Sequence, residues 1–252
     1  REPVAQMTGI RIDIRSKIFR AQGKAKQKIA IQGLEFSLRN AEFACVLGPS
    51  GCGKSTLLNI IAGLDQDFDG RITIDTKDRQ PAIGYVFQEP RLLPWRTVRQ
   101  NVEIALQPGR PHESIDAMLF TLGLEHVHHV YPERLSLGMN RRVALARAFA
   151  IRPNLLLMDE PFVSLDAPTA RKVQDLLANV WIQRPHTVIF VSHDIREAIV
   201  LADRLIFLSH SPARVVSEVP VDIARNDRNR EDAIEDFRQK LAREHSDITK
   251  LL

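Results

Sequence analysis

Hydrophobic and polar residues follow two kinds of pattern along this chain. Near the start, Ile10, Ile12 and Ile14 alternate with Arg11, Asp13 and Arg15. After a loop rich in Lys, Gln and Ala from Ala21 to Lys28, the alternation resumes through Ile29, Ile31, Leu34, Phe36 and Leu38. Successive strand side chains point to opposite faces, so both stretches predict half-exposed strands, most simply antiparallel. Arg71–Asp75 alternates in the same way. Other runs are apolar almost throughout: Phe43–Leu47, Ile83–Gln88, Asn154–Glu160, Thr187–Asp194 and Arg204–Leu208. Strands covered on both faces read in this manner. Helical patterns fall between them at Leu57–Ala62, Ala167–Val180 and Ile195–Ala202. Strands and helices in alternation predict an α/β fold with a parallel sheet.

From Thr97 to about Ile151 the pattern is helical. Val98, Val102, Ile104 and Ala105 mark a first amphipathic stretch, Ser114–Leu122 a second ending at Gly123, and a third runs from about Gly138 to Ile151, with breaks at Pro108 and Pro111. The expected organisation is one domain over residues 1–220, with helices inserted at about 90–152, and a helical tail over 221–252. In the tail, Ile234, Phe237 and Leu241 share one helical face, with Glu231 and Asp232 early and Lys240 and Arg243 late, which suits a docked terminal helix.

Composition narrows the classes. Of 252 residues, 44% are hydrophobic and 26% charged, as in a soluble globular protein. The net charge of +4 suits a nucleotide or an anionic membrane surface and is not a nucleic-acid signature. Cys45 and Cys52 are the two cysteines, one in a predicted strand and one in a glycine loop, so no disulfide framework is expected and a reducing cytosol fits. No run of about 18 apolar residues predicts a membrane span, and Arg1-Glu2-Pro3 opens no apolar signal segment.

The densest chemistry lies between a predicted strand and helix. Gly48-Pro49-Ser50-Gly51-Cys52-Gly53-Lys54-Ser55-Thr56 fits the pattern G-x-x-x-x-G-K-S/T. Glycines let backbone N–H groups approach polyphosphate oxygens, and the following helix adds the positive end of its dipole. The Lys54 ammonium is placed to reach terminal phosphates, and the Ser55 hydroxyl to ligate Mg²⁺. Asp159-Glu160 ends an apolar strand, where one carboxylate can hold Mg²⁺ and the next can polarise an attacking water. Gln88 and His193 also fall at predicted strand ends, where ligands bind in such sheets. His126, His128 and His129 lie in a predicted turn without carboxylate or Cys partners and read as a solvated loop.

Taken in order, these residues resemble the ATP-binding subunits of ABC transporters over nearly all of residues 10–220. Gly48–Ser55 matches the Walker A motif and Gln88 the Q-loop glutamine. Leu135-Ser136-Leu137-Gly138-Met139 matches the signature motif, and Arg142–Ala148 the sequence after it. Leu155–Glu160 matches Walker B, Ser164-Leu165-Asp166 the D-loop and His193 the H-loop. Phe19 sits where the family often stacks an aromatic on adenine. The resemblance implies a P-loop NTPase core with an N-terminal antiparallel β subdomain and an inserted helical subdomain. It implies ATP and Mg²⁺, held as a nucleotide sandwich in a homodimer, with each ATP between the Walker motifs of one copy and Ser136 and Gly138 of the other. Ser136 and Gly138 precede the helix from about Asn140, so that hydroxyl, backbone N–H and helix dipole form a second anion site. His193 would contact the γ-phosphate, and Gln88 would touch Mg²⁺ and the water.

The chain departs from the commonest signature, Leu-Ser-Gly-Gly-Gln, at Leu137 and Met139. The segment Val86–Val98, with Leu92, Leu93 and Trp95, looks like importers of the nitrate, sulfonate and taurine group, in which it lies near the membrane subunits. An exposed Leu-Leu-Pro-Trp stretch suits a partner groove; packing of the helical insert is the other reading. The resemblance implies a subunit peripheral on the cytoplasmic face of the bacterial inner membrane, beneath two permease subunits and served by a periplasmic solute-binding protein, with no nucleic acid. A non-transport ATPase of the same family acting on nucleic acid or ribosomes is the alternative, and a module that grips ATP without hydrolysis a third.

Overall fold

The computed structural model describes residues 8–21, 27–76, 80–106 and 113–245. Most of the loop predicted between Ala21 and Lys28, and the breaks at Pro108 and Pro111, lie outside them. In chain order the elements are β1 (Thr8–Phe19), β2 (Lys28–Arg39), β3 (Phe43–Leu47), α1 (Lys54–Ile61), β4 (Asp69–Ile74), β5 (Ile83–Val86), α2 (Val98–Glu103) and α3 (Glu113–Thr121). They continue with α4 (Leu137–Ala150), β6 (Leu155–Asp159), α5 (Ala167–Gln183), β7 (Thr187–Ser192), α6 (Ile195–Leu201), β8 (Arg204–Leu208), β9 (Val215–Pro220) and α7 (Glu231–Glu244). The chain forms two compact units, Arg1–Arg79 with Thr187–Leu252, and Gln80–His186.

The first unit contains the predicted antiparallel sheet, in the order β2-β1-β4. Ile10, Ile12 and Ile14 are buried while Arg11, Asp13 and Arg15 face out, as their alternation requires. The alternation breaks at Lys17, which is buried beside a register shift and gives its ammonium to the Asp65 carboxylate at 2.8 Å and the Asp67 carbonyl at 2.6 Å. In the same unit β3 lies between β7 and β8 and runs parallel to both, and every residue of β3 and β7 is buried. Phe43 and Phe190 meet edge to face, their ring centroids 5.7 Å apart. The sequence pattern predicts no strand after Arg204–Leu208. Here β9 pairs antiparallel with β8, an edge strand whose half-buried positions give a weak signal. On α7 the buried face is Ile234, Phe237 and Leu241, with Glu231 paired to Arg196 and Lys240 to Asp222.

In the second unit β5 and β6 are parallel, with Val86 opposite Met158. Its helical core gathers Val98 and Val102 of α2, Ile115 and Leu119 of α3, Leu122, Leu124, and Val143 and Ala146 of α4. After α5, His186 packs its ring against Phe149 and donates from Nδ1 to the Arg184 carbonyl at 2.8 Å, leaving Nε2 buried. Burial holds this imidazole below its ordinary pKa, so the fold prefers it neutral. The stability it contributes is full above the unfolded value of about 6.5 and is lost as pH falls through the lower folded value. Thermal melts from pH 8 to 5 are expected to show a fall in Tm that His186→Asn, which keeps a donor for Arg184, flattens. An equal slope in both proteins would remove His186 as its source.

Candidate active site

The glycine loop follows β3 and turns into α1. Gly53 has φ +121°, a conformation that side chains rarely adopt, and it starts the helix with its carbonyl accepting from Leu57. Lys54 is buried, and its ammonium donates to the carbonyls of Gly48 at 2.8 Å and Pro49 at 2.9 Å, so the charge is held within the loop. Cys52 N–H donates to the Pro49 carbonyl, which closes the turn. Ser50, Gly51 and Ser55 are exposed and Thr56 is half-buried. Burial raises the thiol pKa of Cys52, with Lys54 pulling the other way, and raises that of Cys45 further, so neither is a ready thiolate.

His193 belongs to the same end of the same sheet. Leu47 pairs with Ser192, so the loop and His193 leave adjacent parallel strands side by side. The Ser192 hydroxyl donates to Glu197 at 2.6 Å and accepts from Asp194 N–H at 3.0 Å, and Asp194 caps α6 through Arg196 N–H at 2.7 Å. Those bonds fix the turn that presents the exposed imidazole. Phe19, at the end of β1, is 45% exposed, with the Lys17 ammonium 4.9 Å from its ring centroid. It is presented to solvent rather than used as core.

In the second unit the parallel pair β5 and β6 delivers Gln88 and Asp159-Glu160 to a common end. Gln88 is exposed and lies two residues beyond the strand rather than in it. A stack of Tyr85 on Phe87 at 4.1 Å, capped by the Arg91 guanidinium 4.1 Å from the Phe87 ring, braces its loop. Arg147 of α4 adds a fork onto the carbonyls of Pro90 and Arg91, both at 2.9 Å. Asp159 is buried at the end of β6, and Glu160 follows half-buried with φ +44°. Asp166 caps α5 by accepting from Thr169 N–H at 3.0 Å; hydrogen bonding from the Thr169 side chain and then its backbone N–H holds its carboxyl below the usual range.

Ser136 is the N-cap of α4 and accepts from Met139 N–H at 3.2 Å, so its hydroxyl keeps its own hydrogen to donate. The helix begins earlier than the sequence suggested, at Leu137, and Gly138 therefore sits inside its first turn. Gly138 is buried, and a Cβ there would stand 2.5 Å from Thr169 Cγ2. Leu137 is 42% exposed and turns its branched side chain outward.

The Leu92–Trp95 stretch divides. Leu92 packs on the helical core, whereas Trp95 is 70% exposed. A residue with no motif to announce it holds this turn. The fully buried Asn101 amide donates to the carbonyls of Leu93, Arg96 and Thr97 and accepts from Leu93 N–H at 2.8 Å. Sequence reading missed it because an Asn in an amphipathic helix carries no sign of being an internal clamp.

With this geometry in place, comparison with known proteins defines the class. A family model described as ABC transporter matches residues 31–163, and the chain belongs to that family. It is 41% identical to the aliphatic sulfonates import ATP-binding protein SsuB of Bacillus licheniformis, over 89% of this chain and 91% of that one. It is also 41% identical to the nitrate import ATP-binding protein NrtD of Synechococcus elongatus, over 83% and 80% of the two chains. A solved ATP-binding cassette, dimeric and in a post-hydrolysis state bound to ADP and Pi, matches with a TM-score of 0.73 and 30% identity, covering 85% of this chain and 100% of that one. The resemblance to the nitrate and sulfonate group therefore holds. Among the described residues no helix is long and apolar enough to cross a membrane.

Proposed function

We propose that this chain is the ATP-hydrolysing subunit of an ABC importer for a small anionic solute of the nitrate, sulfonate or taurine type. The observation that carries the reading is Lys54, buried in a glycine loop whose Gly48 and Pro49 carbonyls accept from its ammonium at the end of a buried strand, in a chain whose relatives are named import ATP-binding proteins. In this reading the backbone of Gly48–Thr56 cradles the phosphates and Lys54 neutralises the terminal ones. Phe19 offers a face to adenine. Ser55, Gln88 and Asp159 would hold Mg²⁺; they offer only oxygen ligands for a hard cation, and Ser55 is exposed. Held there, a divalent cation would supply neutralisation of phosphate charge. Glu160 takes a proton from water as the water oxygen bonds to the γ-phosphorus; the bond from that phosphorus to the bridging oxygen breaks, and ADP leaves with that oxygen. His193 holds the γ-phosphate. Ser136 and Gly138 of a second copy, with Asp166 beside them, complete the site, so that closure of a homodimer depends on ATP and is lost on hydrolysis.

Coupling then requires two permease subunits, reached through Trp95 and Leu93 at the cytoplasmic face of the bacterial inner membrane, with a periplasmic solute-binding protein delivering the anion. An exposed Trp on a clamped turn has the character of an interface anchor. Trp95→Ala is expected to weaken assembly with the permease pair by about tenfold or more, read by titrating the subunit onto reconstituted permeases. Uptake of nitrate, sulfonates and taurine by a deletion strain, with and without the restored chain, tests the solute class. A purified chain that turns over no Mg-ATP, alone or with its permeases, would sink the reading.

A further inference from the structure

We propose that Arg141 is a positioning residue for Glu160, an inference that rests on the reading of Glu160 as the base. Between β6 and α5 the backbone passes through two left-handed residues that are not glycine, Glu160 at φ +44° and Ser164 at φ +63°. Such conformations persist where surrounding structure over-determines them. Some of that constraint is local: Val163 N–H donates to the Glu160 carbonyl at 3.2 Å, and Leu165 N–H to the Phe162 carbonyl at 3.2 Å. A further part comes from α4. Arg141 is only 4% exposed, and its guanidinium donates from Nη2 to the Val163 carbonyl at 2.9 Å, with a weaker contact from Nη1 to the Glu160 carbonyl at 3.5 Å. A planar fork is suited to bridging two carbonyls across a turn, whereas an ammonium grips as a single point.

The same helix controls the other end of the segment. Gly138, one turn earlier on α4, lies where an added Cβ would stand 2.5 Å from Thr169 Cγ2 on α5 and 4.0 Å from Leu165 Cδ2. Arg141 therefore joins the helix capped by Ser136 to the carbonyls of Val163 and Glu160, so a displacement of α4 along its axis is delivered to the backbone that aims this carboxylate. Catalysis of this kind depends on placement within a fraction of an ångström, and a misplacement of about 1 Å can cost about a hundredfold in rate.

The test uses the full chain with Mg-ATP, measuring steady-state and single-turnover hydrolysis beside ATP affinity. Arg141→Met is expected to lower kcat by about tenfold or more while KM and Kd for ATP stay within about twofold. Arg141→Lys is expected to fall between Met and wild type. In a Glu160→Gln background, Arg141→Met is expected to change the residual single-turnover rate by less than about twofold, because the group it positions is already gone. Unchanged kcat in folded Arg141→Met would overturn the proposal. So would a raised KM at constant kcat, or a full additional loss in the Glu160→Gln background. If Arg141→Met does not fold, wild-type kcat in Arg141→Lys overturns it. Absence of turnover in the wild-type chain overturns the ATPase reading itself, and this inference with it.

Discussion

Glu160→Gln is expected to reduce Mg-ATP turnover by about a thousandfold while ATP is still bound, a loss of about 4 kcal/mol of transition-state stabilisation. The substitution preserves shape and removes the basic oxygen. A carboxylate accepts the proton that the attacking water must lose, and a neutral amide does so far less readily. The site offers good conditions for so isolated a change. Glu160 follows a fully buried strand, its carbonyl is held by Val163 N–H and touched by Arg141, and its left-handed backbone is no less suited to Gln than to Glu. Lys54 and the glycine loop are untouched, so phosphate binding should survive. A variant that binds ATP without hydrolysing it should accumulate as an ATP-held dimer, visible by size-exclusion chromatography with and without nucleotide. A rate within about threefold of wild type would mean that another group takes the proton.

How much of this was legible beforehand depended on whether the signal was local. The parallel strands could be read because burial on both faces demands continuous apolar runs, as at Phe43–Leu47 and Thr187–Ser192. The placement of the motif residues could be read because each follows an apolar strand run, as Gly48 follows β3, His193 follows β7 and Glu160 follows β6. What escaped were side chains whose role depends on partners distant in sequence. Nothing adjacent to Lys17 in the sequence announces its burial, which the Asp65 carboxylate and the Asp67 carbonyl offset. The sequence places Arg142 and Arg147 only in the stretch after the signature motif and gives Arg141 no role. In the fold, Arg141 serves the turn after β6, Arg142 reaches the carbonyls of Leu122 and Gly123, and Arg147 reaches those of Pro90 and Arg91. Burial without a counter-charge depresses the guanidinium pKa of Arg147, yet the group remains charged because its ordinary value is so high. The three together make α4 a scaffold for the surrounding loops, a property visible only once the carbonyls are in place.

Gly138 illustrates the same lesson and yields the second large effect. The resemblance implies that Gly138 faces the nucleotide of a second copy. The structure adds a constraint within one copy, because a Cβ on Gly138 would fall 2.5 Å from Thr169 Cγ2, inside any distance a real contact adopts. Thr169 cannot swing away cheaply, since it is β-branched and its N–H is tied to Asp166. The N-terminus of α4 must therefore move in Gly138→Ala, carrying the Ser136 hydroxyl with it. The stability cost is modest: overpacking of about 1–3 kcal/mol is partly offset by the gain of about 1 kcal/mol for Ala over Gly in a helix. Turnover should suffer more, falling by about ten- to a hundredfold, because a shift of about 1 Å in the hydroxyl proposed to meet the partner's phosphates is costly. Thr169→Ser keeps the hydroxyl near Asp166 and deletes the offending methyl. If the constraint lies within one copy, Gly138→Ala combined with Thr169→Ser regains most of the lost rate, measured as Mg-ATP turnover beside Tm. If it lies only in the approach of the second copy's nucleotide, the double variant stays as slow as Gly138→Ala alone.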